Sequence, residues 1–456
     1  MVVQGNLWED VSNFDFDKPD SEYSFSTRLA KENFWTKNFT VRAISEYKKF
    51  MFLAATSDTM VSPSGIVDAV WHQHLVFSDS YTEFCNILGK FIRHVPSNRS
   101  KQDFQKFKLA KERTTKLYQE RFGEQPKDIW NYDTMYDILD LPKASWKIRS
   151  VLVVGILLFV VSVVPFYFLL KPVYVKTDSD VFLSWYVAIT LLTFAGLELY
   201  NAIRLSKKMK AFKENSFIKN LHPLELIYLK NQKLDEVVHC VVNGLINKNV
   251  IVVSSDNRLS VQKKDAKRFS VEENSVLLTL TDLGTPYYPS LLVQVRQKPI
   301  FQNFVNSTNA IKKFFTKSKE FAKLFYWNFG MLAVILMLGM IRLISGILMD
   351  KPSKWIFLLV IITLVAVAGY LWRVVNYICT SAIPKFYSED IVPRKDMETR
   401  YLWESFFSGS LALAPIFAPL VNHVERNNGT SSGGDSSSCG SSCGSSCSSC
   451  GGCGGD

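Results

Sequence analysis

From Val151 to Pro165 the chain carries no charged side chain, and from Trp355 to Ala368 it again carries none. These stretches belong to four apolar runs, near 151–170, 181–203, 327–348 and 355–372. Each has about the 20 residues that a helix rising 1.5 Å per residue needs to cross roughly 30 Å of hydrocarbon. Core helices of a water-soluble protein rarely stay apolar on every face over such lengths. The pattern therefore predicts four transmembrane helices. Across all 456 residues the hydrophobic share is 47%, an ordinary value that hides this unevenness.

The runs form two pairs. Residues 171–180 separate the first pair and 349–354 the second, and connections this short make two helical hairpins. Arg204, Lys207, Lys208, Lys210 and Lys213 follow the second run, and Lys312, Lys313, Lys317, Lys319 and Lys323 precede the third. The hairpin tips mix Lys171, Lys176, Lys351 and Lys354 with Asp178, Asp180 and Asp350. By the positive-inside rule the N-terminus, the central segment and the C-terminus face the cytoplasm of a cell (inner) membrane. The net charge of +11 reads as this topology signal and as attraction to anionic membrane lipids. Met1 to Asp20 is polar and acidic without an apolar core segment, so no cleavable signal peptide is expected there.

The membrane runs divide the rest of the chain. Residues 1–21 read as a flexible leader and 22–140 as a cytoplasmic all-α domain. The first hairpin takes 150–203, a cytoplasmic α+β module 204–325 and the second hairpin 326–377. A juxtamembrane segment, 378–426, precedes a disordered Ser/Gly/Cys tail, 427–456. Within the N-terminal domain, helical spacing marks Thr27–Trp35, Val41–Ala55, a helix starting at Ser62–Ser64, and Phe104–Phe122 with Gly123 as its stop. In the module, two helices at 221–229 and 235–247 precede apolar strands that flank Ser255, Asp256 and Asn257, a β-hairpin signal. That order suggests a winged-helix-like unit. Asp235 and Glu236 open its second helix, where a phosphate contact would want positive charge, so nucleic acid is not the expected partner. Phe406–Leu420, broken by Gly409, Pro415 and Pro419, reads as interfacial or packed on a domain.

Two of six histidines stand in Trp71-His72-Gln73-His74. On a regular helix Val67, Val70, Trp71 and His74 share one apolar face, which turns His74 to the core. Asp68 and His72 are four residues apart on a neighbouring polar face, where a carboxylate can orient an imidazole. His72 and His74 lie about 200° apart around the axis, so an unbroken helix cannot aim both at one ion. A metal would need further ligands from Asp68, Cys85 or His94, and zinc suits such a set. The alternative is a structural cluster of hydrogen-bonded histidines packed on Trp71 and Tyr81.

A second ligand-rich stretch is the tail, with Cys439, Cys443, Cys447, Cys450 and Cys453. A cytoplasmic tail would keep them as thiols. They suit Zn²⁺ or Cu⁺, membrane-tethering acylation, or azole formation from Ser and Cys; the remaining reading is a low-complexity tail that cannot bury enough apolar surface to fold. Glu198 and Arg342 sit near the ends of their runs, and no series of intramembrane acids or bases marks an ion path.

Several separated words carry a resemblance: Phe25–Asn33, Glu46–Phe50, Phe52–Ala55, Pro63-Ser64, Val67-Asp68, Trp71–His74, Tyr81, Phe84-Cys85, Gly89, His94–Pro96, Phe122–Glu124 and Asp128–Trp130. Over roughly 25–130 this order resembles the glycine-rich domain-containing protein family. The chain departs from it at Arg93-His94-Val95-Pro96, where many members have His-His-x-Pro. The remainder, from Leu221-His222-Pro223 through the 224–261 pattern and the Gly/Cys-rich end, is similar to a family of uncharacterised bacterial membrane proteins. Neither resemblance implies a reaction. The function expected is a membrane-anchored interaction or scaffold protein, metal-responsive through zinc, with partners docking on the cytoplasmic domains. The alternatives are a metal- or cysteine-dependent enzyme in the N-terminal domain, and a substrate or partner of a tail-modifying system.

Overall fold

The structure is a computed structural model. It describes residues 2–18, 21–95, 100–212, 216–262, 269–350, 353–391 and 400–430, so the five tail cysteines lie outside the described residues. It is mainly helical, with one short β-hairpin among the described residues.

Helices α1 (Val2–Asn13), α2 (Phe25–Asn33), α3 (Lys37–Thr56), α4 (Gly65–Val76), α5 (Ser78–Leu88), α6 (Lys101–Phe122) and α7 (Lys127–Trp130) build the N-terminal part. The expectation of a flexible leader is corrected here. Trp8 packs on Phe52 and Phe122 with ring centroids 5.5 and 4.8 Å away, and Val11 and Phe16 are buried. These apolar side chains, spaced to share a side of the chain, find a ready groove beside α3. That helix is the spine, burying Ala43, Tyr47, Phe50 and Met51. Its buried Glu46 joins three helices: it accepts from Tyr118 (2.8 Å) on α6 and Trp130 Nε1 (2.7 Å) on α7, and pairs with Lys49 at 2.7 Å.

Four helices are long and apolar enough to cross a membrane: α8 (Ile148–Lys176), α9 (Ser179–Ala211), then, after the intervening module, α16 (Lys319–Leu348) and α17 (Lys354–Tyr377), the last continuing to Ile391. Their presence is compatible with a membrane protein. Helix α16 is central, packed on α8, α9 and α17. Small residues permit the close crossings: a Cβ on Gly339 would meet the Tyr186 hydroxyl at 2.5 Å, and one on Gly155 the Phe329 ring at 2.4 Å. The outer faces stay apolar and exposed, as at Leu158, Val161 and Leu169. Trp355 and Trp372 stand exposed on α17, about 25 Å apart along the axis, the spacing of an interfacial aromatic pair.

Arg342 is 2% exposed, donating to the carbonyls of Tyr174 and of Thr177 (3.0 Å) at the first hairpin's turn. The last carbonyls of a helix have no partner within it and carry partial negative charge, so a guanidinium satisfies both needs at the end of α8. Near the other end of the bundle Asn201 and Asn328 exchange amide hydrogen bonds at 3.0 and 2.8 Å, and Tyr370 joins them at 3.1 Å.

The central module holds α10 (Ser216–Lys219), α11 (Pro223–Asn231), α12 (Leu234–Asn247), the antiparallel strands β1 (Ile251–Val253) and β2 (Leu259–Val261), α13 (Val271–Leu283), α14 (Tyr288–Gln297) and α15 (Pro299–Thr316). After α17, π-helical turns flank α18 (Ile383–Phe386), and the chain returns as α19 (Arg400–Ser408) and α20 (Ala418–Thr430). The broken apolar stretch around 406–420 packs on the module: Asn243 holds Ala412 O (3.1 Å) and Ala414 N (2.8 Å), and Phe417 seats on Tyr288 at 4.8 Å.

One hydrophobic core runs through the N-terminal part, the module and the returning C-terminal helices. The joint is polar and specific. Lys37 pairs with buried Glu272 at 2.7 Å, and its backbone N–H donates to buried Glu225 at 2.8 Å. Burial pushes the Glu225 carboxyl up to about 7, only partly opposed by the bonds from His222 and Lys37. Burial acts the same way on Glu272, but Lys37 and His222 outweigh it and leave that carboxyl at about 2. The segment before α8 also pairs with the start of α16, Ala144 N to Lys317 O (2.9 Å) and Lys319 N to Pro142 O (2.8 Å), which seats the two helix starts side by side.

Glu46→Ala leaves the Tyr118 and Trp130 donors buried without their acceptor. We expect it to cost about 3 kcal/mol, the scale for removing one member of a buried charged network, with Glu46→Gln milder. Thermal melting of the detergent-solubilised chain checks this, and equal melting points for wild type and Glu46→Ala would refute it.

Candidate metal centre

Helix α4 begins at Ser64, whose hydroxyl accepts from Val67 N at 3.2 Å. At Gly65 a Cβ would crowd Asp133, 2.7 Å from its carboxylate and 3.1 Å from its Cα. The helix then divides the histidine block. Val67, Val70, Trp71 and His74 are buried, while His72 is exposed beside Asp68.

His94 is delivered by a different device. Gly89 ends α5 with φ of +68°, a left-handed turn that suits glycine. The chain then runs back over α4, and Tyr81 grips it: its hydroxyl donates to the Ile92 carbonyl and accepts from Trp71 Nε1 at 3.1 Å. His94 settles edge-on against Trp71, with ring centroids 4.7 Å apart, and 4.4 Å from the His72 ring.

The outcome is a compact set. His94 Nε2 lies 3.1 Å from Asp68 Oδ1, and His72 Nδ1 lies 3.2 Å from Asp68 Oδ2 and 2.9 Å from the Asp68 carbonyl. One ligand atom from each of Asp68, His72 and His94 falls within 4.8 Å of the others. Side-chain exposures of 35%, 56% and 20% respectively leave one side open to solvent. Two imidazoles and a carboxylate are ligands that zinc takes, at about 2.0–2.2 Å. Ligands of a tetrahedral ion at that distance stand about 3.4 Å apart, so a small inward rotation of the three side chains would complete the site.

His74 and Cys85, named as further candidates, are not part of this set. His74 is fully buried, its Nδ1 bonded to the Tyr47 hydroxyl at 2.9 Å and its Nε2 to Ser80 at 3.2 Å, and Phe16, Phe25 and Phe84 surround it. Burial drops its pKa to about 3. With both ring nitrogens engaged and aromatic rings around it, it is a packed core histidine. Cys85 is buried on α5, 2% exposed.

A second concave feature had no signal in the sequence. A cavity of about 450 Å³ opens between α1–α3 and α11, α13 and α15, with Glu225, Glu272, Lys37 and Asn303 on its wall. Lys37 and Asn303 stand 266 positions apart, and no local pattern connects them.

The His74 environment sets a pH dependence. Its folded pKa of about 3 lies below the ordinary 6.5, so its contribution to stability is complete above 6.5 and is lost as pH falls. Between pH 7 and 5 this amounts to about 2 kcal/mol. His74→Gln should flatten the fall in melting temperature over that interval, and a profile as steep as wild type would show that another group sets it.

No protein-family model, curated protein or solved structure matches this chain.

Proposed function

We propose that this is a multi-pass protein of the cell (inner) membrane that holds a helical body at the cytoplasmic face and works as a metal-responsive interaction scaffold. Zinc at Asp68, His72 and His94 is the responsive element. The observation that carries this reading is the convergence of three ligand atoms within 4.8 Å, drawn from a helix and a distant loop. Binding there would lock the loop after α5 onto α4 and change the surface offered to a protein partner. Four long apolar helices and the basic residues that follow α9 and precede α16 support the membrane placement and its sidedness.

The alternative is a metal-dependent enzyme. Three protein ligands with one side open is also the arrangement of catalytic zinc, which keeps a position for water or substrate. A cysteine nucleophile at Cys85 is disfavoured by its burial.

Zinc titration tests the site in the full-length, detergent-solubilised chain carrying serine at Cys439, Cys443, Cys447, Cys450 and Cys453. We expect one equivalent to bind, with affinity lowered at least about tenfold in His72→Ala, His94→Ala or Asp68→Asn, and no such loss in His74→Gln. Affinity indifferent to all three changes would remove the site from this reading.

Sidedness is checked separately. In the same serine-tail background, a cysteine in place of Thr177, at the first hairpin's turn, should react with a membrane-impermeant maleimide in intact spheroplasts. A cysteine in place of exposed Lys111 on α6 should react only after permeabilisation. The opposite pattern would invert the orientation.

A further inference from the structure

The cavity between α1–α3 and α11, α13 and α15 is independent of the metal set. Its volume, about 450 Å³, lies within the roughly 300–1,000 Å³ of small-molecule sites. Its chemistry is one-sided. Four carboxylates line it, from Asp15, Asp17, Glu225 and Glu272, against two ammonium groups, from Lys37 and Lys48. Both ammoniums are already engaged: Lys37 Nζ with both oxygens of Glu272 at 2.7 Å, and Lys48 Nζ with the carbonyls of Ser12 (2.8 Å) and Phe14 (2.6 Å). The hydroxyls of Ser26, Thr40 and Ser307 donate within the protein as well.

Two of the carboxylates have partners too, Asp17 in Ser26 N (2.7 Å) and Oγ (2.6 Å) and Glu272 in Lys37; the acceptors left over are elsewhere on the wall. Asn303 is 8% exposed; its Nδ2 donates to Thr27 O at 3.0 Å, and its Oδ1 meets no donor. A buried acceptor without a donor costs free energy until a donor arrives. Glu225 is fully buried, and its two oxygens take only backbone N–H groups, of Lys37 and His222, each at 2.8 Å. The remaining wall is aromatic and apolar, with Trp8, Phe14, Phe16 and Trp35. An ammonium group has donors and no acceptor, and ring faces attract cations.

We infer that this cavity is a binding site for a small organic cation, an amine carried on an apolar or aromatic body, with Asn303 Oδ1 and the carboxylate-rich wall receiving the ammonium group and the aromatic wall receiving the body. The site spans the joint between the N-terminal part and the central module, so a bound amine fastens the two together across the Lys37–Glu272 pair. An anionic ligand is opposed by the same wall, where each lining ammonium already has its partners.

The test uses the full-length chain in detergent micelles at pH 7.5, with tryptamine as probe and indole-3-propionate, the same ring bearing a carboxylate, as its charge-reversed counterpart. Calorimetry is corrected against empty micelles. We expect saturable binding of tryptamine at least tenfold tighter than that of the carboxylate, and weakened at least tenfold in Asn303→Leu. Val41→Trp provides a second arm. Val41 is 59% exposed on the cavity wall, so a larger side chain can obstruct entry without disturbing the core, and it should abolish binding at an unchanged ligand-free melting temperature. Equal affinity for the two probes, no saturable binding of tryptamine, or tryptamine binding that survives Val41→Trp would each overturn the proposal.

Discussion

A backbone amide in hydrocarbon has no water to bond, so each one must be satisfied within the protein. The four long apolar helices are compatible with that requirement. It makes each apolar run a helix, and it explains the polar groups found among those helices. Arg342 turns inward because the terminal carbonyls of α8 lack partners, and its guanidinium meets two of them. Asn201 and Asn328 are buried side-chain amides and satisfy one another, since an unpaired polar group among apolar side chains is costly. The apolar outer faces of α8 and α17 carry no polar group in need of such compensation at Leu158, Val161 or Val365, and these side chains stay exposed.

Away from those helices burial is selective. The large core there is apolar, yet it includes buried polar groups, several of which have defined partners. Glu46 draws in donors from α6 and α7. Glu225 and Glu272 sit close in the fold with opposite fates: burial leaves the first near neutrality at about 7, while the Lys37 ammonium holds the second at about 2. The two histidines of the Trp71–His74 block differ likewise. His74 is kept neutral by burial, and His72 stays at the surface beside Asp68.

Much of this was legible residue by residue. The apolar runs follow from unbroken local composition, the hairpin around Asn257 from its turn residues, and the face shared by Val67, Val70, Trp71 and His74 from a period of 3.6, all of them local properties. The leader was misread because Trp8 and Val11 have too little apolar company to announce a core helix, and only the groove beside α3 gives them one. His94 could be named from the sequence but not placed. Its position over Asp68 depends on the left-handed turn at Gly89 and on the Tyr81 hydroxyl holding the Ile92 carbonyl, and neither contact leaves a periodic trace.

By itself, then, the sequence determined the number of apolar helices, the helical character of the N-terminal part and which histidine faces the core. Those features arise from solvent preference along a short stretch of chain. Only the tertiary structure decided that Asp68, His72 and His94 meet, that the N-terminal part and the central module share one core, and that a cavity with an orphaned Asn303 acceptor lies between them. These depend on contacts between residues up to 276 positions apart, whose geometry is set by how whole helices pack and not by any property of their immediate neighbours.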